Sequence, residues 1–130
     1  MLLGNQQQAA YGNVQVQANA SVSNSFELVC MLHKRLDQEL DVMIYSIENK
    51  DFEKKSAAAQ KAIDILIGLD SALDLDNPNE LIENIHTLYE HSIATVFQAS
   101  KDLDAQMIVD LKKPLADLSE GWEGAMKLLS

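Results

Sequence analysis

From Ser25 to the C-terminus, apolar residues recur every three or four positions, the period of one face of an α-helix. Val29, Leu32, Leu36, Leu40, Met43 and Ile47 make the first stripe, which ends near Asn49. Ala59, Ala62, Leu66, Leu69 and Leu73 make a second behind Asp51, a residue suited to capping a helix start. Asn77-Pro78-Asn79-Glu80 then reads as a third start. Asn77 would be the N-cap, Pro78 the first helical residue, and Glu80 would close a capping box. That helix carries Leu81, Ile85, Leu88, Ser92 and Val96. Asp102 or Asp104 opens a fourth, with Met107, Leu111, Leu115, Leu118, Trp122, Met126 and Leu129 inward. The spacing thus predicts helices over about 25–49, 51–74, 78–101 and 103–129. Links this short favour an antiparallel up-down four-helix bundle, an all-α fold. Pro114 predicts a kink in the last helix, because it cannot donate to the carbonyl of Asp110.

The first 24 residues are different. Nothing before Glu27 carries a side-chain charge, and Gln, Asn, Ala, Ser and Val dominate. Such a stretch buries too little surface to offset its chain entropy. Residues 1–24 therefore read as a mobile N-terminal arm, with room for a short extra helix around Gln6 to Tyr11, and residues 25–130 as the bundle. Val14, Val16, Ala18, Ala20 and Val22 alternate with polar residues, a strand's period without a sheet to join, which suggests an extended segment that docks.

Composition narrows the partners. The chain has 130 residues and a formal net charge of -10, which repels phosphate backbones and anionic lipid surfaces. Nucleic acid and membrane are therefore poor partners. No apolar run approaches a membrane span, and the first residues lack the basic start and apolar run of a signal peptide. With a single cysteine, Cys30, no internal disulfide forms, and a reducing cytosol is the expected compartment.

Candidate chemistry is thin. Glu83 and His86 have the Glu-x-x-His spacing of di-iron bundles, but the chain holds no second such pair. Cys30 and His33 lie three apart, yet a zinc site needs further ligands and a catalytic dyad needs an orienting group. They read as a buried thiol beside a boundary histidine, and His86 as an ordinary flank residue. Asp74, Asp76 and Asn77 begin like a calcium loop, but Asn79 and Ile85 stand where it requires Gly and Glu. We expect no catalytic residues, no metal and no cofactor.

The helices do carry surplus apolar surface. With Leu66 and Leu69 inward, Ile63 and Ile67 lie roughly 90–120° off the stripe's centre. Ile82, Ile93 and Phe97 widen the third helix's apolar face in the same way, and Phe26 and Ile44 widen the first. Three readings follow: burial by the arm and close neighbours, a homodimer interface, or a groove for a partner's amphipathic segment.

The ordered set of motifs resembles one family. Ala10-Tyr11, Val14 and Phe26-Glu27-Leu28-Val29-Cys30-Met31-Leu32 resemble the start of the flagellar secretion chaperone family FliS. The segment from Lys61 to Leu69 with Ser71-Ala72-Leu73-Asp74 is similar to its second long helix, and Asn84 with Leu88-Tyr89-Glu90 to its third. Gln98 to Asp102 and Gly121-Trp122 stand where the family has Glu-Ala-Asn and Ala-Trp. The chain departs where Asn24-Ser25 replaces Ser-Pro, where His33-Lys34 replaces Tyr-Asp, and at Gly68 and Gly121, where larger side chains are usual. The resemblance implies a cytosolic chaperone that binds the disordered C-terminal segment of flagellin, prevents premature polymerisation and presents it to the flagellar export apparatus, an export-gate protein included. On that reading Ile44, Ile63, Ile67, Ile82, Ile93 and Phe97 line the flagellin groove. Tyr11 and Val14, on the arm, cover part of it.

Overall fold

A computed structural model of the chain describes residues 18–77 and 79–129. Four α-helices account for nearly all of them: α1 Ala18–Glu48, α2 Phe52–Ser71, α3 Glu80–Asp102 and α4 Ala105–Leu129. Each helix packs along its neighbours in the order α1, α2, α3, α4 and back to α1, with the α3–α4 seam the thinnest. Contacts between named residues give the directions. Lys55 near the start of α2 reaches Ser100 near the end of α3, while Asp70 near the end of α2 meets His86 near the start of α3. Lys112 early in α4 meets Asp41 late in α1, and Trp122 late in α4 meets Phe26 early in α1. Sequential helices therefore run antiparallel, as the short links between them predict.

The turns follow from local chemistry. At the end of α1, Asp51 N–H donates to the Ser46 carbonyl and Lys50 N–H to that of Ile47, at 2.9 and 3.2 Å. This closes the helix with Lys50 left-handed at φ 58. Asp51 then caps α2, its side chain accepting from the Lys54 N–H at 3.2 Å. At the α3–α4 corner Leu103 is left-handed at φ 57, and the Asp104 carboxylate accepts from the Gln106 N–H at 3.0 Å. Asp104 is thus the residue that opens the last helix. Pro114 lies inside α4.

Several expectations are corrected. The first helix begins at Ala18 rather than near residue 25, so Asn24 and Ser25 are internal to it. Residues 18–22 are helical despite their strand-like alternation, because an unpaired strand has no ladder to satisfy its backbone. The rest of the expected arm, residues 1–17, lies outside the described residues. The cap of α3 is Asn79, not Asn77: its side chain accepts from the Ile82 N–H at 2.9 Å. Asn77 is already engaged, donating its amide to the Asp74 carboxylate at 2.9 Å. With the cap moved to Asn79, Glu80 is the first helical residue and is too near the cap to close the box.

The core is one cluster drawn from all four helices, with Leu36, Leu40, Met43, Leu66, Leu69 and Val96 among its most enclosed side chains. Leu81, expected inward, is 66% exposed, since it sits in the first turn of α3 beyond the last core layer at Ile85. In α4 it is Ile108 that is fully enclosed, while Met107 packs at the margin. Met126 and Leu129 have no described side-chain environment. His33 is not at a boundary but only 3% exposed. Its Nε2 lies 2.9 Å from the Tyr89 hydroxyl, which also accepts from the Trp122 indole N–H at 3.3 Å. Indole nitrogen can only donate, and no other acceptor for the tyrosine's own hydroxyl hydrogen lies among these contacts, so we assign that hydrogen to His33 Nε2. The chain Trp122 to Tyr89 to His33 links α4, α3 and α1 through the centre. Burial pushes the His33 imidazole down to about 4 from 6.5 and the Tyr89 phenol up to about 12.

Two outcomes follow. A folded-state pKa below the unfolded one means the native protein binds fewer protons, so His33 costs nothing above 6.5. It lowers stability as pH falls from 6.5 through about 4, by up to about 3 kcal/mol. Urea unfolding at pH 7 and pH 4.5 should show this loss in the native sequence and a smaller one in His33→Phe. In thermal or urea melts, Asn79→Ala should cost about 1 kcal/mol, and Asn77→Ala well under that.

Candidate functional site: apolar seams of the bundle

Asp70 and His86 touch across the seam between α2 and α3, their side chains 2.6 Å apart, and so mark the facing flank of each helix. Residues three, four or seven positions away share that flank. On α2 these are Ile67 and Ile63; on α3 they are Ile82 and Ile93, with Phe97 one further turn along. The two helices are antiparallel, so Ile63 and Ile93 stand at about the same height. The Lys55 ammonium donates to the Ser100 carbonyl at 3.0 Å toward the other end of the seam. Ile63 and Ile93 are half-buried against the core, and Ile82 is also partly covered. Ile67 is 49% and Phe97 60% exposed. Five of the six expected groove residues thus lie along one seam, with Ile63 and Ile93 half-buried between its two polar bridges and Ile67 and Phe97 exposed beside them.

Ile44 lies elsewhere. Lys112 of α4 contacts Asp37 and Asp41, marking the flank of α1 that faces α4, and Ile44 follows them by seven and three positions. It packs on the α1–α4 seam, away from the five others. Tyr11 and Val14 lie outside the described residues.

The electrostatics at the α2–α3 seam centre on His86. Its Nδ1 meets Asp70, and its Nε2 lies 3.1 Å from Glu90. The hydrogen bond to Asp70, opposed by desolvation and aided by the charges of Asp70 and Glu90, raises its pKa above the ordinary value. His86 is therefore a tie between helices and not the unattached flank residue its spacing suggests. Sequence reasoning also missed the buried Trp122–Tyr89–His33 chain. The only signal available was the four-residue step from Ile85 to Tyr89, which competes with Leu88 for the same stripe.

The α1–α4 seam holds a cleft of about 370 Å³ between the Lys112 contacts and the Phe26–Trp122 ring pair, whose centroids are 5.6 Å apart. Leu36, Leu40 and Leu115 form its apolar part, and His33 lines it. Among the described residues no three His, Cys, Asp or Glu side chains gather as a metal site, and no helix is long and apolar enough to cross a membrane. Both seams present apolar surface suited to another chain's side chains rather than reactive groups.

Comparison with known proteins agrees with this architecture. The family described as Flagellar protein FliS matches residues 6–129. The flagellar secretion chaperone FliSB of Pseudomonas aeruginosa is 29% identical over 114 residues, covering 88% of this chain and 90% of that protein. The flagellar secretion chaperone FliS of Salmonella typhimurium is 30% identical over 115 residues, covering 88% and 85%. That of Vibrio cholerae is 25% identical, with 88% and 84% covered. A match spanning nearly the whole bundle, by a family of chaperones and not of enzymes, places this chain in the FliS family of flagellar secretion chaperones.

Proposed function

We propose that the chain is a cytosolic chaperone that binds the C-terminal segment of flagellin along the α2–α3 seam, keeps it from polymerising and aids its delivery to the flagellar export apparatus. The observation that carries this reading is the row of Ile63, Ile67, Ile93 and Phe97 along one seam between two polar bridges, with Ile67 and Phe97 exposed. An amphipathic segment with apolar side chains at helical spacing fits such a row, and burying each side chain contributes about 1.5–3 kcal/mol. The partner orders on binding, which offsets part of that gain and keeps the complex reversible. Reversibility suits a protein that hands its cargo to an export-gate protein. Ile82 extends the row toward the start of α3, while Ile44 belongs to a separate contact on the α1–α4 side. Tyr11 and Val14, on the segment before α1, cover part of the row until flagellin displaces them.

Ile67 and Phe97 are exposed, so charging them tests binding without disturbing the core. Calorimetry with a flagellin C-terminal peptide should show Ile67→Asp and Phe97→Asp each weakening affinity by about tenfold or more. Unchanged affinity in both folded variants would remove the α2–α3 assignment. Tyr11→Ala should instead tighten peptide binding several-fold, because a competing internal contact is lost. Sedimentation of the free chain separates a homodimer from a monomer whose seam is open to flagellin.

A further inference from the structure

We infer that the α1–α4 cleft is a second peptide-docking site, taking one leucine-sized side chain, a backbone carbonyl and a neighbouring cation from a basic partner segment. Four features of the cleft carry this. Its volume, about 370 Å³, is at the small end of the range of ligand pockets. Leu36, Leu40 and Leu115 line it with apolar surface, and Ala116 and Ser119 leave its α4 side low. His33 also lines it and is 3% exposed, yet its Nδ1 has no hydrogen-bond partner. Because Nε2 accepts from Tyr89, the neutral ring carries its hydrogen on Nδ1, so this nitrogen is a buried donor without an acceptor. A buried donor left unpaired costs about 1–3 kcal/mol, and a ligand carbonyl reaching it recovers that cost.

The rim specifies the occupant's charge. Asp37 and Glu120 flank the opening, Asp41 lies beside it, and Glu123 is near enough to Cys30 to act with burial in raising the thiol's pKa. Lys112 between Asp37 and Asp41 leaves one negative charge there, and Glu120 and Glu123 against Lys34 leave another, so the rim is acidic on balance. A chain of net charge -10 adds a field of the same sign. The complementary segment is therefore basic, with Arg or Lys near its apolar anchor. Ile44 and the exposed Val109 continue the apolar surface beyond Lys112, so a longer segment finds further contact there. The cleft lies on the far side of α1 from its seam with α2, and its occupancy does not depend on what fills the α2–α3 row.

The test uses the full chain and the capped tetrapeptide N-acetyl-Ala-Leu-Ala-Arg amide as probe, followed by amide and imidazole nuclear magnetic resonance. Saturable shifts should be confined to residues 33–40 and 115–120, with the His33 Nδ1–H signal moving downfield and exchanging more slowly. Ala116→Met, which fills the cleft from an exposed position, should weaken the probe at least tenfold, as should replacing the probe's Arg with Glu. His33→Phe should weaken it several-fold while keeping the ring's shape. Phe97→Asp should change nothing, which separates this site from the α2–α3 row. Absence of saturable shifts, shifts located elsewhere, or equal affinity in Ala116→Met would overturn the inference and leave the cleft as a hydrated gap.

Discussion

The hydrogen-bond chain from Trp122 through Tyr89 to His33 is the constraint on which the arrangement of this bundle depends. Apolar side chains set register through the fit of their shapes, and such layers can repack with other apolar neighbours. A buried phenol with a donor on one side and an acceptor on the other has no such freedom. Displacing α4 against α3, or α3 against α1, leaves a buried polar atom unpaired. The α3–α4 seam has the thinnest packing and is the one that the Trp122–Tyr89 contact crosses. The same chain joins α1 to α3 across the bundle's diagonal.

With the centre held this way, specific side chains bridge each end of the α2–α3 seam. Lys55 and Ser100 tie one end, and Asp70, His86 and Glu90 the other. On the α1–α4 seam Lys112 bridges to Asp37 and Asp41, and Phe26 packs at a tilt against Trp122. Between bridges the helices carry side chains wider than the core requires. Ile67 and Phe97 remain exposed on one seam, and an apolar cleft opens on the other. A scaffold tied at intervals and apolar in the gaps keeps its shape while leaving apolar surface uncovered, which suits a secretion chaperone.

Phe97 and Ile67 illustrate how much of this was legible beforehand. Their distance from the core stripe follows from counting residues at ~100° each, and the structure leaves them exposed as counted. Ile44 shows the limit of counting. It stands off its own stripe as Ile67 does, but periodicity gives only the angle around one helix. Which neighbour lies at that angle depends on how four helices are arranged, and the contacts of Lys112 place Ile44 toward α4. The choice between Met107 and Ile108 failed for a related reason, since both steps to Leu111 are helical.

The sequence by itself determined that the chain is helical from its periodicity, that short capped turns join its helices, at Asp51 and at Asp102 or Asp104, and that its family is FliS. Those properties reside in local spacing, capping chemistry and ordered motifs, all of which are written along the chain. Tertiary structure decided the rest. The burial of His33 and its bond to Tyr89 join residues 56 positions apart. The separation of the surplus apolar surface into two seams depends on which helix lies beside which. Each of these is a three-dimensional coincidence of groups whose sequence positions carry no mark of one another.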